Sequence, residues 1–153
     1  MSDATHTKDR RLSETRASYD TVAEAYAELL ADSLATRPLD RALFGAFAER
    51  VEVAVGPAAE IADIGCGPGH VTAYLRGRGA NAFGVDLSPG MVAVARRRHP
   101  GIRFVEGSMT GLDLTDGSLG GIVSWYAIVH TPPELLPAVF AGSTGCSRPA
   151  VTC

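Results

Sequence analysis

The sequence predicts an α/β protein: a doubly wound parallel sheet behind an N-terminal helical cap. Three observations predict it. From Ala59 onward, short apolar runs alternate with segments of helical period, the pattern of βαβ units. The first run, Ile61-Ala62-Asp63-Ile64, passes directly into GCGPGH, with glycine at 65, 67 and 69. The second run ends in an acid, Asp86, twenty-one residues after Gly65.

Bulk properties narrow the possibilities. The chain has 153 residues, enough for one domain, with 46% hydrophobic and 20% charged residues and a formal net charge of -3. That balance argues against a nucleic-acid partner, which needs clustered excess Lys and Arg. The start, MSDATHTKDRRLSETR, has no apolar segment of the secretory kind, and no apolar run is long enough to span a bilayer. Cys66, Cys146 and Cys153 show no metal-ligand spacing, so a reducing, cytoplasmic setting is expected, without membrane association.

The elements follow in order. Residues 1–15 read as a disordered N-terminus, and residues 16–56 as the helical cap. Tyr19, Val22, Ala23, Tyr26, Leu29, Leu30 and Leu34 recur at spacings of three and four, one apolar stripe on a helix that Arg37-Pro38 breaks. Pro38 suits the first turn of a second helix, whose apolar face is Leu39, Leu43, Phe44, Phe47 and Val51. Gly56-Pro57 ends the cap. After the first strand and the glycine turn, Val71, Tyr74 and Leu75 mark a helix ending near Gly77-Arg78-Gly79. The second strand is 82–85. Ser88 then caps a helix with Pro89 at its first position and Met91, Val94 and Ala95 facing inward. Arg96-Arg97-Arg98 falls in the last turn of that helix, where cations suit the dipole. Residues 102–105 and 120–125 read as the third and fourth strands, and Pro132-Pro133-Glu134 opens a further helix.

The glycine turn has a chemical reading. At the carboxyl end of a parallel strand, facing a helix N-terminus, it is a place for a ligand. Gly65 permits the tight turn, Gly67 lets the backbone approach a ligand, and Gly69 permits close packing where the helix departs. The spacing Gly65-x-Gly67-x-Gly69 departs from the dinucleotide pattern, whose third glycine would stand at His70. No Gly-Lys-Ser/Thr follows, which excludes a phosphate-cradling P-loop. Asp86, at the end of the second strand, can accept both hydroxyl hydrogens of a ribose. Loop and acid together describe an adenosine site.

The segments ADIGCGPGHVTAYL, GVDLSPGMVAVAR and FVEGSMTGLDLTDGSLGGIVSWYAIVHTPPELLPAVF resemble, in this order, the class I S-adenosyl-L-methionine-dependent methyltransferases, more narrowly the small-molecule type with a helical N-terminal cap. The resemblance runs from about Tyr19 to Phe140. It implies a Rossmann-like sheet whose first four strands take the order 3-2-1-4, with residues 57–141 as the cofactor-binding half domain. It implies that Asp63, Gly65, Cys66, Gly67 and Gly69 hold the methionine portion, with Asp63 near the ammonium directly or through water. Asp86 would take the ribose hydroxyls and Leu87 the adenine. Ser108 stands where the family often has an acid, and Met109 would pack on the ring. Ser124, Trp125 and Tyr126 would line the sulfonium and the acceptor. Tyr19 and Tyr26, seven apart on one helix face, would be a lid over the cofactor carboxylate or the substrate, with core packing as the alternative. His130 is the candidate base for a hydroxyl or amine acceptor, with loop orientation as its alternative. His70, at the start of a helix, reads as packing or solvated, with a ligand contact as its alternative.

Beyond Phe140 the expected helix stops, and residues 142–153 read as an aberrant tail. Codons compatible with that tail, read in a shifted frame, spell F-H-R-V-L-A-P-G-G-H-L, close to the family's continuation. The expectation is a frameshift after Ala141 and a C-terminally truncated domain. Its fourth strand would be an exposed edge open to non-specific association, with weak cofactor binding, poor solubility and little turnover. Two rival functions remain at this stage: a non-catalytic S-adenosylmethionine-binding remnant and a nicotinamide-dependent oxidoreductase fragment. The acceptor is expected to be a small molecule of unspecified kind.

Overall fold

The computed structural model describes residues 2–112, 117–131 and 133–146. Helix α1 spans Ser2–Leu30 and therefore takes in residues 2–15, within the stretch whose composition leads to an expectation of disorder. The physical reason is local. The chain has no proline before Pro38 and no glycine before Gly45, and its first turns are rich in Ala, Lys, Arg, Leu and Glu. Arg10 and Glu14, one turn apart, pair at 3.6 Å.

The buried seam of α1 is narrower than its apolar stripe. Ala23 and Ala27 are buried, with Tyr19 and Tyr26 packed beside them against Met91 and Val94, while Val22 and Leu29 are exposed. Small residues let the facing helix approach closely. That helix is α4, Pro89–Arg98. Acids at positions 20, 24 and 28, one turn apart on α1, reach it. Asp20 Oδ1 accepts from Ser88 Oγ and from the Gly90 N–H, and Arg97 and Arg98 pair with Glu24 and Glu28. Arg96 instead donates to the Phe104 carbonyl at 2.6 Å. The basic run is thus a set of intramolecular ties.

Helix α2, Pro38–Val55, starts on its proline and ends at Gly56 (φ 116). Phe44, Phe47 and Val51 are its buried face; Leu39 and Leu43, expected inside, are exposed. The sheet holds β1 (Glu60–Ile64), β2 (Asn81–Asp86), β3 (Phe104–Glu106) and β4 (Gly121–Val123), all parallel, in the order β3-β2-β1-β4. Both middle strands are buried almost throughout, as sheets covered on both faces require. On one face α2 and α3 (His70–Gly77) close over Ile61, Ala82 and Val123. On the other, Ala62, Ile64, Phe83, Val85 and Ile122 pack with Leu119, Met109 and Leu112.

A single 3-10 turn, Pro133–Leu135, leads into α5, Leu136–Cys146. The helix continues past Phe140, where low propensity led us to expect a stop. Gly142 and Gly145 each weaken it by about 1 kcal/mol, but an established helix gains one backbone bond per added residue. The proposed boundary at 142 therefore falls within a helix, and residues 147–153, including Cys153, lie outside the described residues.

Candidate functional site

The site forms where the carboxyl ends of β1, β2 and β4 meet the first turn of α3 and the flank of α1. The loop after β1 carries three left-handed glycines, at φ 75, 54 and 82 for Gly65, Gly67 and Gly69. Two of them are required by contact as well as by conformation. A Cβ on Gly65 would lie 2.3 Å from that of Ala127, and one on Gly69 would lie 2.7 Å from the Phe104 ring. Gly67 differs. An added Cβ there meets nothing closer than Tyr26 Cε1 at 3.9 Å, so this backbone faces open space, as expected of a ligand approach.

Asp86 closes the loop against β2. Its Oδ2 accepts the Gly67 N–H at 2.8 Å and its Oδ1 accepts the Ser88 N–H at 2.9 Å. Each oxygen keeps further acceptor capacity for a ligand. Burial raises its pKa, opposed by the Ser88 and Gly67 N–H bonds. Ser88 also caps α4, accepting from the Met91 N–H at 3.1 Å. Asp20 on α1 therefore reaches the same turn that holds Asp86, a link that sequence spacing did not suggest. The four-residue rhythm of acids at 20, 24 and 28 was the available signal.

Asp63 stands behind the loop. It is 1% exposed, and its Oδ2 accepts from Thr72 Oγ1 at 2.6 Å. Burial drives its pKa up to about 7, with the Thr72 hydrogen bond opposing and Asp86 adding to the rise. Asp63 is not in the cavity wall, so direct contact with a ligand is the less favoured of the two arrangements expected of it. Burial likewise pushes the Cys66 thiol well up; this is a packed, protonated sulfur, inert as a nucleophile.

The cavity has a volume of about 400 Å³, within the range of small-molecule sites. Tyr19, Tyr26, Gly65, Cys66, Gly67, Asp86, Leu87, Ser108, Met109 and Trp125 all border it. Tyr19 and Tyr26 meet edge to face at 6.1 Å, and burial, then Tyr26 and Asp86, raise the Tyr19 pKa. They are at once packed on α4 and open to the cavity, so the lid and core readings are compatible. Ser108 Oγ lies 2.8 Å from Thr110 Oγ1. Met109 Sδ accepts from Thr131 Oγ1 at 3.2 Å.

Three expected residues, Asp63, Gly69 and Ser124, do not border the cavity. Gly69 packs beneath it. Ser124 Oγ is buried with no hydrogen-bond partner and does not border the cavity. His130 ends a 3-10 turn, Ile128–His130, and its side chain lies outside what the structure describes. Tyr126, expected to line the acceptor, borders the cavity; Arg16, Ser33, Arg37, His70 and Val129 border it as well without having been assigned to a ligand. Arg37 had been read only as a helix breaker. Burial, with His99 and Arg37 adding, lowers the His70 pKa to about 4, so its imidazole is neutral at pH 7. Among the described residues no group of three or more His, Cys, Asp or Glu could hold a metal. No described helix is long and apolar enough to cross a membrane.

A glycine loop and an acid at adjacent parallel strand ends, joined over one cavity, define a nucleoside-type site on a Rossmann-like α/β protein. Residues 61–150 match the methyltransferase domain family, and the chain belongs to that family, in its class I S-adenosylmethionine-dependent form. A malonyl-[acyl-carrier protein] O-methyltransferase of Pectobacterium atrosepticum is 42% identical over 57 residues, 37% of this chain and 22% of that protein. The chain thus spans about a fifth of the length of that curated relative. A TehB-like S-adenosylmethionine-dependent methyltransferase from Corynebacterium glutamicum superposes with a TM-score of 0.64 at 24% identity, over 83% of this chain and 67% of the other. An S-adenosylmethionine-bound amino pentose methyltransferase from Micromonospora echinaspora gives 0.60 at 26% identity, over 71% and 47%.

Proposed function

We propose that the protein transfers a methyl group from S-adenosylmethionine to a small-molecule acceptor. One observation carries the reading: the Gly67 N–H and the Asp86 carboxylate, 19 residues apart in sequence, are hydrogen-bonded at 2.8 Å on the wall of one cavity. The residues present suit a sulfonium nucleoside. Asp86 offers carboxylate oxygens to ribose hydroxyls, Leu87 and Met109 offer apolar surface to adenine, and Gly67 leaves room for the amino-acid end. Ser108 Oγ supplies an uncharged acceptor for the adenine amino group.

The cofactor supplies the electrophilic methyl, whose transfer leaves a neutral thioether. Little covalent machinery is then asked of the protein. Tyr19, Tyr26 and Trp125 enclose the reacting region and exclude water, and the loop and Asp86 fix alignment, which together are the main sources of rate in such a displacement. The aromatic face of Trp125 favours a nearby positive charge. His130 is the candidate base for an acceptor that must lose a proton.

Calorimetry with S-adenosylhomocysteine and, separately, NAD tests this. Binding of the first with no binding of the second is expected. Binding of NAD alone would overturn the reading in favour of an oxidoreductase fragment.

A further inference from the structure

One turn of α1 serves both the cavity and α4. Tyr19 borders the cavity, while the next residue, Asp20, faces the start of α4. Asp20 Oδ1 accepts from Ser88 Oγ and from the Gly90 N–H, the latter at 2.9 Å. These two bonds, Ser88 first, hold its carboxyl below the ordinary carboxylate range, so it is ionised at pH 7. Ser88 is then fixed on three sides. Its N–H donates to Asp86 Oδ1 at 2.9 Å, its Oγ accepts from the Met91 N–H at 3.1 Å, and its hydroxyl hydrogen goes to Asp20. One of the two N–H groups that hold Asp86 thus belongs to a residue whose hydroxyl is anchored 68 positions away in sequence.

Gly90 marks how closely α1 sits. Its φ is not left-handed, and alanine is the better helix former, so backbone conformation does not call for glycine there. Space does. An added Cβ would lie 3.0 Å from Asp20 Oδ1 and 3.1 Å from Asp20 Cα. The missing side chain is the room into which α1 settles. The other acids of α1 differ from Asp20. Glu24 and Glu28 pair with Arg97 and Arg98 in the last turn of α4, and none of these four borders the cavity. Exposed ion pairs of that kind hold little, whereas a carboxylate taking two hydrogen bonds is the stronger tie.

We propose that Asp20 is a positioning residue: through Ser88 it fixes the Asp86 carboxylate, so that seating of α1 over the cavity and nucleoside binding are one coupled step. The inference rests on the proposed function, in which Asp86 takes the ribose hydroxyls. The coupling is reciprocal. With α1 seated, the Ser88 N–H aims Asp86 and leaves its remaining acceptor positions in one direction. With ribose on Asp86, the Ser88 turn is held where Asp20 meets it, and Tyr19 is kept at the cavity rim.

Calorimetry compares S-adenosylhomocysteine with its 2′,3′-dideoxyribose analogue, which lacks both hydroxyls, and hydrogen exchange follows the amides of residues 16–30. Asp20→Ala should weaken S-adenosylhomocysteine at least fivefold, leave the analogue within twofold, and abolish the protection that S-adenosylhomocysteine gives those amides. Asp20→Asn, which keeps an acceptor oxygen, should recover most of the affinity. Gly90→Ala, which obstructs α1 from the α4 side while favouring the helix itself, should reproduce Asp20→Ala. Glu24→Gln removes a tie of α1 that does not reach Asp86 and should stay within twofold for both ligands. Unchanged S-adenosylhomocysteine affinity in Asp20→Ala and Gly90→Ala overturns the proposal alone. So does an equal loss for the two ligands, which would make Asp20 a fastening of the helix without effect on Asp86. Failure of the unmodified chain to bind S-adenosylhomocysteine, or to prefer it over the analogue, overturns the functional reading and the proposal with it.

Discussion

The two ends of the cavity are built in different ways. At the β1–β2 end, the wall is backbone: left-handed glycines, N–H groups, and a carboxylate fixed by two of them. At the Trp125 end, it is side chains from separate segments: Arg37 from a turn, Trp125, Tyr126 and Val129 from the stretch after β4. The first end is crowded, with Cβ clearances of 2.3 and 2.7 Å at Gly65 and Gly69. The second is open, with Tyr126 and Val129 exposed. A wall made of backbone has one solution and tolerates no change. A wall of exposed side chains can be altered at little cost to the fold. This division suits a protein that reads one constant ligand and one variable one.

The contrast breaks most severely at Gly65. Gly65→Ala adds a methyl 2.3 Å from the Ala127 Cβ at a φ of 75. Left-handed strain plus overpacking predicts about 3–5 kcal/mol of destabilisation. Urea unfolding measures it, and a loss below 1 kcal/mol would show that the crowded end is not rigid.

The next largest effect concerns charge behind the wall. The His70 pKa is depressed in the folded state, from 6.5 to about 4, so its contribution to stability falls as pH drops from 6.5 towards 4. The Asp63 pKa is raised, from 3.8 to about 7, so its contribution is full below pH 4 and lost as pH rises towards 7. Each spans roughly 3–4 kcal/mol at most, and they have opposite signs. In the unmodified protein these two contributions therefore nearly cancel between pH 4 and 7. His70→Gln should leave a profile that falls with rising pH, and Asp63→Asn one that rises. Parallel profiles for all three proteins would contradict the assignment.

Asp86→Ala removes the acceptor of two N–H bonds and of the proposed ribose hydroxyls. An affinity loss for S-adenosylhomocysteine of about a hundredfold is expected, near 2.7 kcal/mol. Calorimetry giving an unchanged affinity would remove the basis for a nucleoside at this end.

The smallest effect sharpens the comparison from the open side. Tyr126→Gly relieves the left-handed strain of that residue, φ 54, and gives up only an exposed ring. Stability should stay within about 1 kcal/mol of the unmodified protein, while Trp125 fluorescence shifts, because the two rings meet edge to face at 5.4 Å. Unfolding by several kcal/mol would place Tyr126 in the rigid half instead.

The sequence by itself determined the order of elements, the parallel sheet and the backbone end of the site. Gly65, Gly67, Gly69, Ser88 and Asp86 are legible because their roles follow from short-range geometry: a turn, a cap, a strand end. Where sequence reasoning missed, the deciding interactions were long-range. The exposure of Leu39 and Leu29 depended on how closely α2 and α1 dock, which no periodicity encodes. The partners of Arg97, Arg98 and Ser88 lie about 70 residues away in α1. Arg37 read as a helix breaker because its neighbours in sequence are those of a turn. Only the packing of α2 and α3 against the end of β4 brought it over Tyr126 and into the cavity. Local conformation is fixed by residues within a few positions, whereas a binding wall made of side chains from three segments exists only once those segments have packed.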